Sequence, residues 1–144
     1  MTTYTVRSMT DITTARVNAI LKATDVAATI AWYQAAGFEL RGCEPNPDTP
    51  TWCELARDGL VLQFLGGDET PWEGDPTFTG CFYVHPPNGV DAVHAQVSGS
   101  ISDDWGVEER PWGARELTLR DPNGYFITYT EPAHQANSLA RPGD

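Results

Sequence analysis

Residues 110–131 read RPWGARELTLRDPNGYFITYTE, and their pattern indicates two strands joined by a turn. Two runs, 114–120 and 125–130, flank the turn 121–124, and their strict alternation of apolar and polar residues predicts a β-hairpin. One face of the hairpin carries Leu117, Leu119, Ile127 and Tyr129; the other carries Glu116, Thr118, Phe126 and Thr128. The second face mixes an acid, hydroxyl groups and an aromatic ring, which is unlike a plain charged surface.

The bulk composition fits a single domain. The chain has 144 residues, of which 40% are hydrophobic, so it is long enough to bury a proper core. No run approaches the roughly 18 apolar residues of a transmembrane helix, and the N-terminus lacks the pattern of a signal peptide. Cys43, Cys53 and Cys81 are odd in number and form no CxxC pair. We therefore expect a cytoplasmic protein with reduced thiols.

The charge balance excludes some partners. Twenty acidic residues against nine basic ones give a net charge of −11. Binding to nucleic acid or to an anionic membrane needs the opposite sign, so neither partner is expected. An acidic field attracts cations, although solubility explains the charge equally well. The segment 68–75, DETPWEGD, concentrates acids around Trp72.

The order of predicted elements repeats along the chain. A strand in 17–23, a helix from Asp25 to Gly37 and strands in 38–42, 51–57 and 60–65 make one β-α-β-β-β unit. A strand in 79–85, a short helix over 88–97 and strands in 107–110, 114–120 and 125–130 make a second. The ends of the two halves, 55–64 and 117–129, also match in sequence. This internal duplication is the strongest organisational signal in the chain.

The sequence thus predicts an α+β fold of two tandem βαβββ modules, with mixed sheets curled around a common cleft and helices outside. The expected parts are an N-terminal arm (1–16), one domain (17–131) made of module 1 (17–66), an acidic linker (67–77) and module 2 (78–131), and a C-terminal tail (132–144). Alternation predicts a helix-facing set: Val17, Ala19, Leu21, Cys53, Leu55, Leu60, Leu62, Phe64, Phe82, Val84, Leu117, Leu119, Ile127 and Tyr129. It also predicts a cleft-facing set: Asn18, Ile20, Trp52, Glu54, Val61, Gln63, Thr79, Cys81, Tyr83, Glu116, Thr118, Phe126 and Thr128.

Two segments resemble a known family. The helix segment 23–40, ATDVAATIAWYQAAGFEL, and the hairpin segment 110–131 are similar to the vicinal-oxygen-chelate superfamily, which includes glyoxalases, extradiol dioxygenases and bleomycin-resistance proteins. The string PWGxRExxLRDPxG within 111–124 most resembles the bleomycin-binding branch. That branch implies a non-enzymatic homodimer that sequesters a cationic, heteroaromatic antibiotic in clefts at the subunit interface.

The resemblance also marks where the family's enzymes hold a divalent metal. The matching positions here are Asn18, Gln63, Thr79 and Thr128. Two amides and two hydroxyls offer no negative charge, whereas transition-metal sites want imidazole, carboxylate or thiolate donors. His85, His94 and His134 lack metal-ligand spacing. We therefore expect no metal, no cofactor and no catalytic residue.

The cleft-facing parity and the resemblance together predict a ligand site. Its expected residues are Trp52, Glu54, Gln63, Tyr83, Trp112, Glu116, Phe126 and Thr128. Flat rings beside a cleft suit stacking on a planar ligand, with cation–π attraction if the ligand is charged. The two acids would pair either with a cationic ligand or with an arginine, and Arg115 is the nearest candidate. Cys81 is expected to be a small buried residue.

The favoured function is metal-free binding of a small, cationic and aromatic molecule, as in antibiotic resistance or self-protection. The alternative is a divergent glyoxalase-like lyase or isomerase, or a dioxygenase-related enzyme, with Glu54 or Glu116 as acid or base. A binding domain for an ordinary metabolite is a third reading. Open sheet edges predict a homodimer, and the weak alternation of 3–10 suggests an arm that crosses to the partner.

Overall fold

The structure is a computed structural model that describes residues 17–101 and 105–133. These residues form eight strands and two α-helices. In chain order they are β1 (Ala19–Lys22), α1 (Val26–Ala35), β2 (Glu39–Glu44), β3 (Trp52–Arg57), β4 (Leu60–Leu65), β5 (Cys81–Val84), α2 (Val90–Val97), β6 (Val107–Arg110), β7 (Ala114–Arg120) and β8 (Phe126–Pro132). The expected arm 1–16 and residues 134–144 of the tail, including His134, lie outside the described residues.

Both modules have the same sheet topology. The strand order is β1-β4-β3-β2 in module 1 and β5-β8-β7-β6 in module 2. The first and last strands of each module pair in parallel, and the remaining neighbours pair antiparallel. The two βαβββ modules and the α+β class are confirmed.

The register confirms the two faces of the opening hairpin. Leu117 lies opposite Tyr129 and Leu119 opposite Ile127, while Thr118 lies opposite Thr128. Because facing residues of an antiparallel pair share a side of the sheet, the apolar and polar sets are separated as predicted.

The predicted core is confirmed with one exception. The central helix-facing side chains are buried, and they join residues of both helices in a single core cluster: Tyr33, Cys53, Leu55, Leu62, Phe64, Val90, Val97, Leu117, Leu119, Ile127 and Tyr129. The exception is Val17, which precedes β1 and is 88% exposed. Its assignment to the helix-facing set is wrong because the strand begins two residues later.

In each helix a backbone N–H of the first turn donates to a carboxylate. That carboxylate is next to the helix in one case and on a distant strand in the other. Asp25 caps α1 locally, since its Oδ1 accepts a hydrogen bond from Ala28 N at 3.0 Å. For α2 the acceptor is Glu131 on β8, whose Oε1 receives Val90 N at 2.7 Å. An orphan N–H at a helix start needs such a partner, so β8 supplies what the sequence next to α2 does not. None of the helices in the described ranges is long and apolar enough to cross a membrane.

The β3–β4 connection of module 1 is a two-residue hairpin, Asp58-Gly59, closed by the pairing of Arg57 with Leu60. Asp58 takes the left-handed conformation with φ 54°, as short hairpin turns require. The guanidinium of Arg57 donates to Ala36 O and to Gln96 Oε1, each at 2.6 Å. Since Gln96 belongs to α2, this arginine links the two modules.

The matching turn of module 2, residues 121–125, makes a larger set of contacts with module 1. Asp121 Oδ2 accepts a 2.7 Å hydrogen bond from the Tyr33 hydroxyl on α1. The Asn123 side chain accepts from Thr24 N at 3.0 Å and donates to Thr29 Oγ1 at 3.1 Å. Tyr125 donates its hydroxyl to Lys22 O at 2.8 Å. We call this turn the docking turn, because it fastens module 2 to β1 and α1.

Asp121 also holds the docking turn in shape. Its Oδ1 accepts hydrogen bonds from the backbone N of Asn123 and of Tyr125, both at 2.8 Å. Burial raises the pKa of Asp121, and the hydrogen bonds from Tyr33, Tyr125 and Asn123 oppose that rise. Burial, together with the adjacent Asp121, raises the pKa of Tyr33 well above its usual value. The Tyr33 hydroxyl therefore remains a donor at any ordinary pH.

A pair of tyrosine substitutions tests the docking turn. Tyr33→Phe leaves a buried carboxylate oxygen without its donor, which should lower the free energy of unfolding by about 1–3 kcal/mol. Tyr129→Phe is the matched control, since the buried Tyr129 hydroxyl has no hydrogen-bond partner among the described residues. Its removal should change stability by less than about 0.5 kcal/mol or raise it. Urea denaturation at pH 7 measures both, and equal losses would contradict the assignment.

Candidate functional site

Each sheet has a face opposite the core, which we call its open face, and each open face carries one cluster of polar and aromatic side chains. The module 1 cluster consists of Trp52, Glu54 and Gln63. The module 2 cluster consists of Tyr83, Arg110, Trp112, Glu116 and Thr130. Six of these eight side chains are predicted ligand residues; the other two are Arg110 and Thr130.

The module 1 cluster is a chain of hydrogen bonds along β3 and β4. Trp52 Nε1 donates to Gln63 Oε1 at 3.1 Å, and Gln63 Nε2 donates to Glu54 Oε1 at 2.8 Å. Glu54 and Gln63 are direct partners in the register, which is why their side chains meet. These two bonds fix the orientation of the Gln63 amide, since its oxygen faces the indole and its nitrogen faces the carboxylate.

A glycine on the neighbouring strand lies beside this cluster, and a side chain there would make only ordinary contact with it. Gly42 on β2 pairs with Glu54, and a Cβ at Gly42 would lie 3.5 Å from the Trp52 ring. The ring of Trp52 therefore lies against bare backbone. Trp52 and Glu54 are both half-buried on the open face.

The module 2 cluster converges on one carboxylate. Glu116 Oε2 accepts hydrogen bonds from the Tyr83 hydroxyl, from Trp112 Nε1 at 3.3 Å and from Thr130 Oγ1 at 3.2 Å. Arg110 Nε lies 3.4 Å from Glu116 Oε1. The register explains the convergence, because Glu116 is paired with Thr130 on one side and with Glu108 on the other.

Glu116 is held in its charged form. The side chain is only 4% exposed, and this burial would raise its pKa. Hydrogen bonds from Tyr83, Trp112, Thr130 and Arg110 outweigh burial, so the pKa of Glu116 lies below its usual range. The carboxylate is thus an ionised acceptor with donors of its own chain around it.

The rings attached to Glu116 reach into solvent. Tyr83 is 49% and Trp112 is 66% exposed, although the polar tip of each ring is bonded to Glu116. The Arg110 guanidinium lies 5.9 Å from the centre of the Trp112 ring. Each ring is therefore anchored at one end and presents apolar surface, which suits stacking on a flat partner.

The remaining predicted residues lie on the same open face of module 2. Phe126 is half-buried, with the Trp105 ring 5.6 Å and the Arg120 guanidinium 5.9 Å from its centre. Thr128 is buried, and its hydroxyl shares a 3.0 Å hydrogen bond with that of Thr118.

The four positions that the sequence resemblance marks as metal ligands are either hydrogen-bonded within the chain or exposed. The Gln63 amide is engaged by Trp52 and Glu54, and the Thr128 hydroxyl is engaged by Thr118. Asn18 and Thr79 are exposed. Within the described ranges no group of three or more His, Cys, Asp or Glu side chains is placed to hold a metal ion.

Two expectations about single residues are wrong. The basic neighbour of Glu116 is Arg110 and not Arg115, whose guanidinium pairs with Asp91 at 2.9 Å and with Glu131 at 2.8 Å. Arg115 alternates with Glu116 along β7, so the two side chains point to opposite faces. Cys81 is exposed and not buried, because it lies on the open face of edge strand β5.

Sequence reasoning missed the role of Lys22 in placing the acidic linker. Its ammonium donates to Trp72 O at 2.9 Å and to Gly74 O, which holds the linker against β1. A cavity of about 280 Å³ lies between them, bounded by Ile20, Lys22, Trp72, Asp75 and Tyr125 among others. A lysine near the end of a strand gives no sequence signal for such a contact.

The charge of Glu116 should be visible in the pH dependence of stability. Because its folded-state pKa is lowered, its contribution is present above the unfolded pKa of about 4.3 and is lost as pH falls through the folded value. Stability curves of the parent and of Glu116→Gln should therefore approach each other as the pH falls below about 4.3. Glu108→Gln, on an exposed carboxylate of the same face, is the control. A gap that stays constant with pH would contradict an ionised Glu116.

Comparison with solved structures finds many with the same fold. They include TioX from Micromonospora sp. ML1, with a TM-score of 0.64 and 20% identity over 83% of this chain and 99% of that chain. A glyoxalase-related enzyme from Clostridium phytofermentans matches with a TM-score of 0.59 and 16% identity, over 85% of this chain and 98% of that one.

A bleomycin-binding protein from Streptomyces verticillus, solved with copper(II)-bleomycin, matches with a TM-score of 0.53 and 22% identity, over 82% of this chain and 96% of that one. No protein-family model and no curated protein sequence matches the chain. At these identities the likeness establishes the fold, and it confirms the resemblance at that level.

Proposed function

We propose that this chain, which has the fold of the glyoxalase, bleomycin-resistance and dioxygenase proteins, is a metal-free binding protein that sequesters a small planar molecule carrying positive charge. The observation that carries the proposal is the module 2 cluster. Two exposed rings, those of Tyr83 and Trp112, are tied by their polar ends to one buried carboxylate. In such an arrangement the two rings are ordered before a flat ligand binds, so the binding step does not include the entropic cost of ordering them.

The fold neighbours are compatible with a binding role and also with catalysis. They include a bleomycin-binding protein solved with its ligand and also a glyoxalase-related enzyme. The chemistry of the site favours binding, because amides and hydroxyls stand at the four positions that match the family's metal ligands, and none of them offers the imidazole, carboxylate or thiolate donor that transition metals prefer. The eight proposed ligand residues are Trp52, Glu54, Gln63, Tyr83, Trp112, Glu116, Phe126 and Thr128.

The positive charge of the ligand is proposed from two features. The chain carries a net charge of −11, which attracts cations from solution. On the module 1 cluster, one Glu54 oxygen accepts from Gln63, and none of the ion pairs between described residues involves this carboxylate. A carboxylate beside the Trp52 ring is a suitable partner for an ammonium or guanidinium group.

The binding cleft is proposed to form between two copies of the chain. In one chain the docking turn packs the helix-facing sides together, so Tyr83 and Trp112 stay largely exposed on the open face. A homodimer that places the module 1 cluster of one copy opposite the module 2 cluster of the other would give a cleft with both acids and all the rings. We also propose a cytoplasmic location, in which Cys43 and Cys53, which face each other across β2 and β3, would stay reduced.

Ligand binding can be tested by titrating the protein with cationic glycopeptides, including bleomycin, and with quinones and intercalators, read by tryptophan fluorescence. At least one member should quench emission saturably. Trp112→Ala should weaken that binding roughly five- to thirty-fold, because a stacking ring contributes about 1–2 kcal/mol. Trp72→Ala, on the linker, is the control and should bind like the parent. A folded Trp112→Ala variant that binds every member as tightly as the parent would refute stacking on Trp112. Conversion of a panel member to product would instead support the lyase or isomerase.

The dimer can be tested by sedimentation velocity at micromolar concentration. We expect a single species of twice the chain mass, because open faces bearing exposed rings are unfavourable in water. Adding the best ligand of the panel should strengthen the dimer if the ligand lies between the copies. A monomer that binds the ligand with one-to-one stoichiometry would place the site within a single chain.

A further inference from the structure

We infer that the two acids of the site have different roles: Glu116 is a positioning residue that fixes the rings of Tyr83 and Trp112, and Glu54 recognises the positive charge of the ligand. The inference rests on the proposed function, because it concerns the same site. It also narrows the ligand to a molecule whose flat ring and whose cationic group are separate.

Glu116 has little capacity left for a ligand. Its Oε2 already accepts from Tyr83, Trp112 and Thr130, and its Oε1 faces Arg110. The side chain is 4% exposed, so a cation from solution would have to displace a donor of this chain to reach it. Replacing charge-assisted bonds within the protein by an equivalent bond to the ligand gains little free energy.

What Glu116 supplies is order in the rings. Tyr83 comes from β5 and Trp112 from the turn between β6 and β7, and one oxygen of Glu116 holds the tips of both. Fixing a side chain before binding removes an entropic cost of about 0.5–1.5 kcal/mol for each ring from the binding step. Glu116 therefore acts on affinity through the rings and not through Coulomb attraction.

Arg110 determines what stacks on Trp112. Its guanidinium lies over this ring at 5.9 Å, so positive charge is already present next to the indole. Arg110 also approaches Glu108, with Nη2 3.4 Å from Oε1. A second cation placed on the same ring would be repelled by Arg110, whereas a neutral heteroaromatic ring would not. The module 2 cluster thus favours the uncharged flat part of the ligand.

Glu54 is the carboxylate suited to the charged part. It is half-buried, its Oε1 is taken by Gln63, and its second oxygen accepts no hydrogen bond from the described residues. Gln63 is held by Trp52 on its other side and cannot turn to serve both oxygens. A ligand ammonium would meet a negative charge that no described cation compensates, in a partly desolvated position where attraction exceeds that in water.

The experiment compares two probes that share one flat ring: an acridine with a propylammonium tail on an exocyclic amide, and the same acridine with an uncharged propyl tail. Binding is measured by calorimetry at about 20 mM and about 500 mM salt, since screening separates charge from stacking. Glu54→Gln should weaken the ammonium probe several-fold at low salt, reduce its salt dependence and leave the neutral probe unchanged. Glu116→Gln should weaken both probes by a similar factor, roughly five-fold or more, at both salt concentrations.

Two controls exclude trivial causes. Asp48→Asn removes an exposed carboxylate from the loop between β2 and β3, outside both clusters, and should bind both probes like the parent. The emission of Trp112, obtained as the difference between each protein and its Trp112→Phe version, should shift in Glu116→Gln and not in Glu54→Gln. That signature reports the ring itself, so a general loss of folded protein cannot imitate it.

The outcomes separate this inference from the proposed function. If Glu116→Gln weakens only the ammonium probe and does so mainly at low salt, Glu116 recognises charge and the division of roles is wrong, while sequestration stands. If neither acridine binds but other panel members do, the ligand class is wrong and the binding function stands. If no panel member binds the parent protein, both fail.

Discussion

The carboxylate of Asp121 joins the two halves of this molecule. It accepts two backbone N–H groups that shape the docking turn and the hydroxyl of Tyr33, which belongs to the other module. Around this bond the side chains of Asn123 and Tyr125 reach β1 and the start of α1. The helix-facing sides of both sheets are buried in the core, and the docking turn adds hydrogen bonds between the modules, so the open faces are the ones left uncovered.

Buried acids recur in the structure, and in each case the neighbours determine what the acid can do. Asp121 and Glu131 complete backbone groups that would otherwise lack partners, and Glu116 gathers the tips of two rings. All three are occupied by donors of their own chain, as the burial of Asp121 and Glu116 requires; Glu131 is half-buried. Glu54 differs, because Gln63 satisfies only one of its oxygens among the described residues. Of these four acids, Glu54 is therefore the one with an oxygen that accepts no hydrogen bond from the described residues.

Much of this architecture could be predicted from the sequence, because alternation and duplication are local signals. The hairpin faces, the start of the first helix near Asp25 and the succession of helices and strands along the chain in both modules follow from residues close together in the chain. The errors concern contacts between distant residues. Arg110 and not Arg115 meets Glu116, since strand parity outweighs closeness in sequence, and Lys22 holds the linker at Trp72 through backbone oxygens that no side-chain pattern reveals. The predicted burial of Cys81 is wrong because Cys81 lies on an edge strand. Which strand lies at the edge depends on the strand order in the sheet, and the alternation within one strand does not encode that order.

The two βαβββ modules differ in the turn that follows the third strand of each. At the end of its third strand, module 1 turns in two residues, Asp58 and Gly59, while module 2 uses the longer turn that begins at Asp121. The short turn brings Arg57 to α2, and the long turn reaches β1 and α1. Two identical units would carry the same turn twice and could make both contacts symmetrically. In this chain each turn makes only one of the two contacts, so neither module could replace the other.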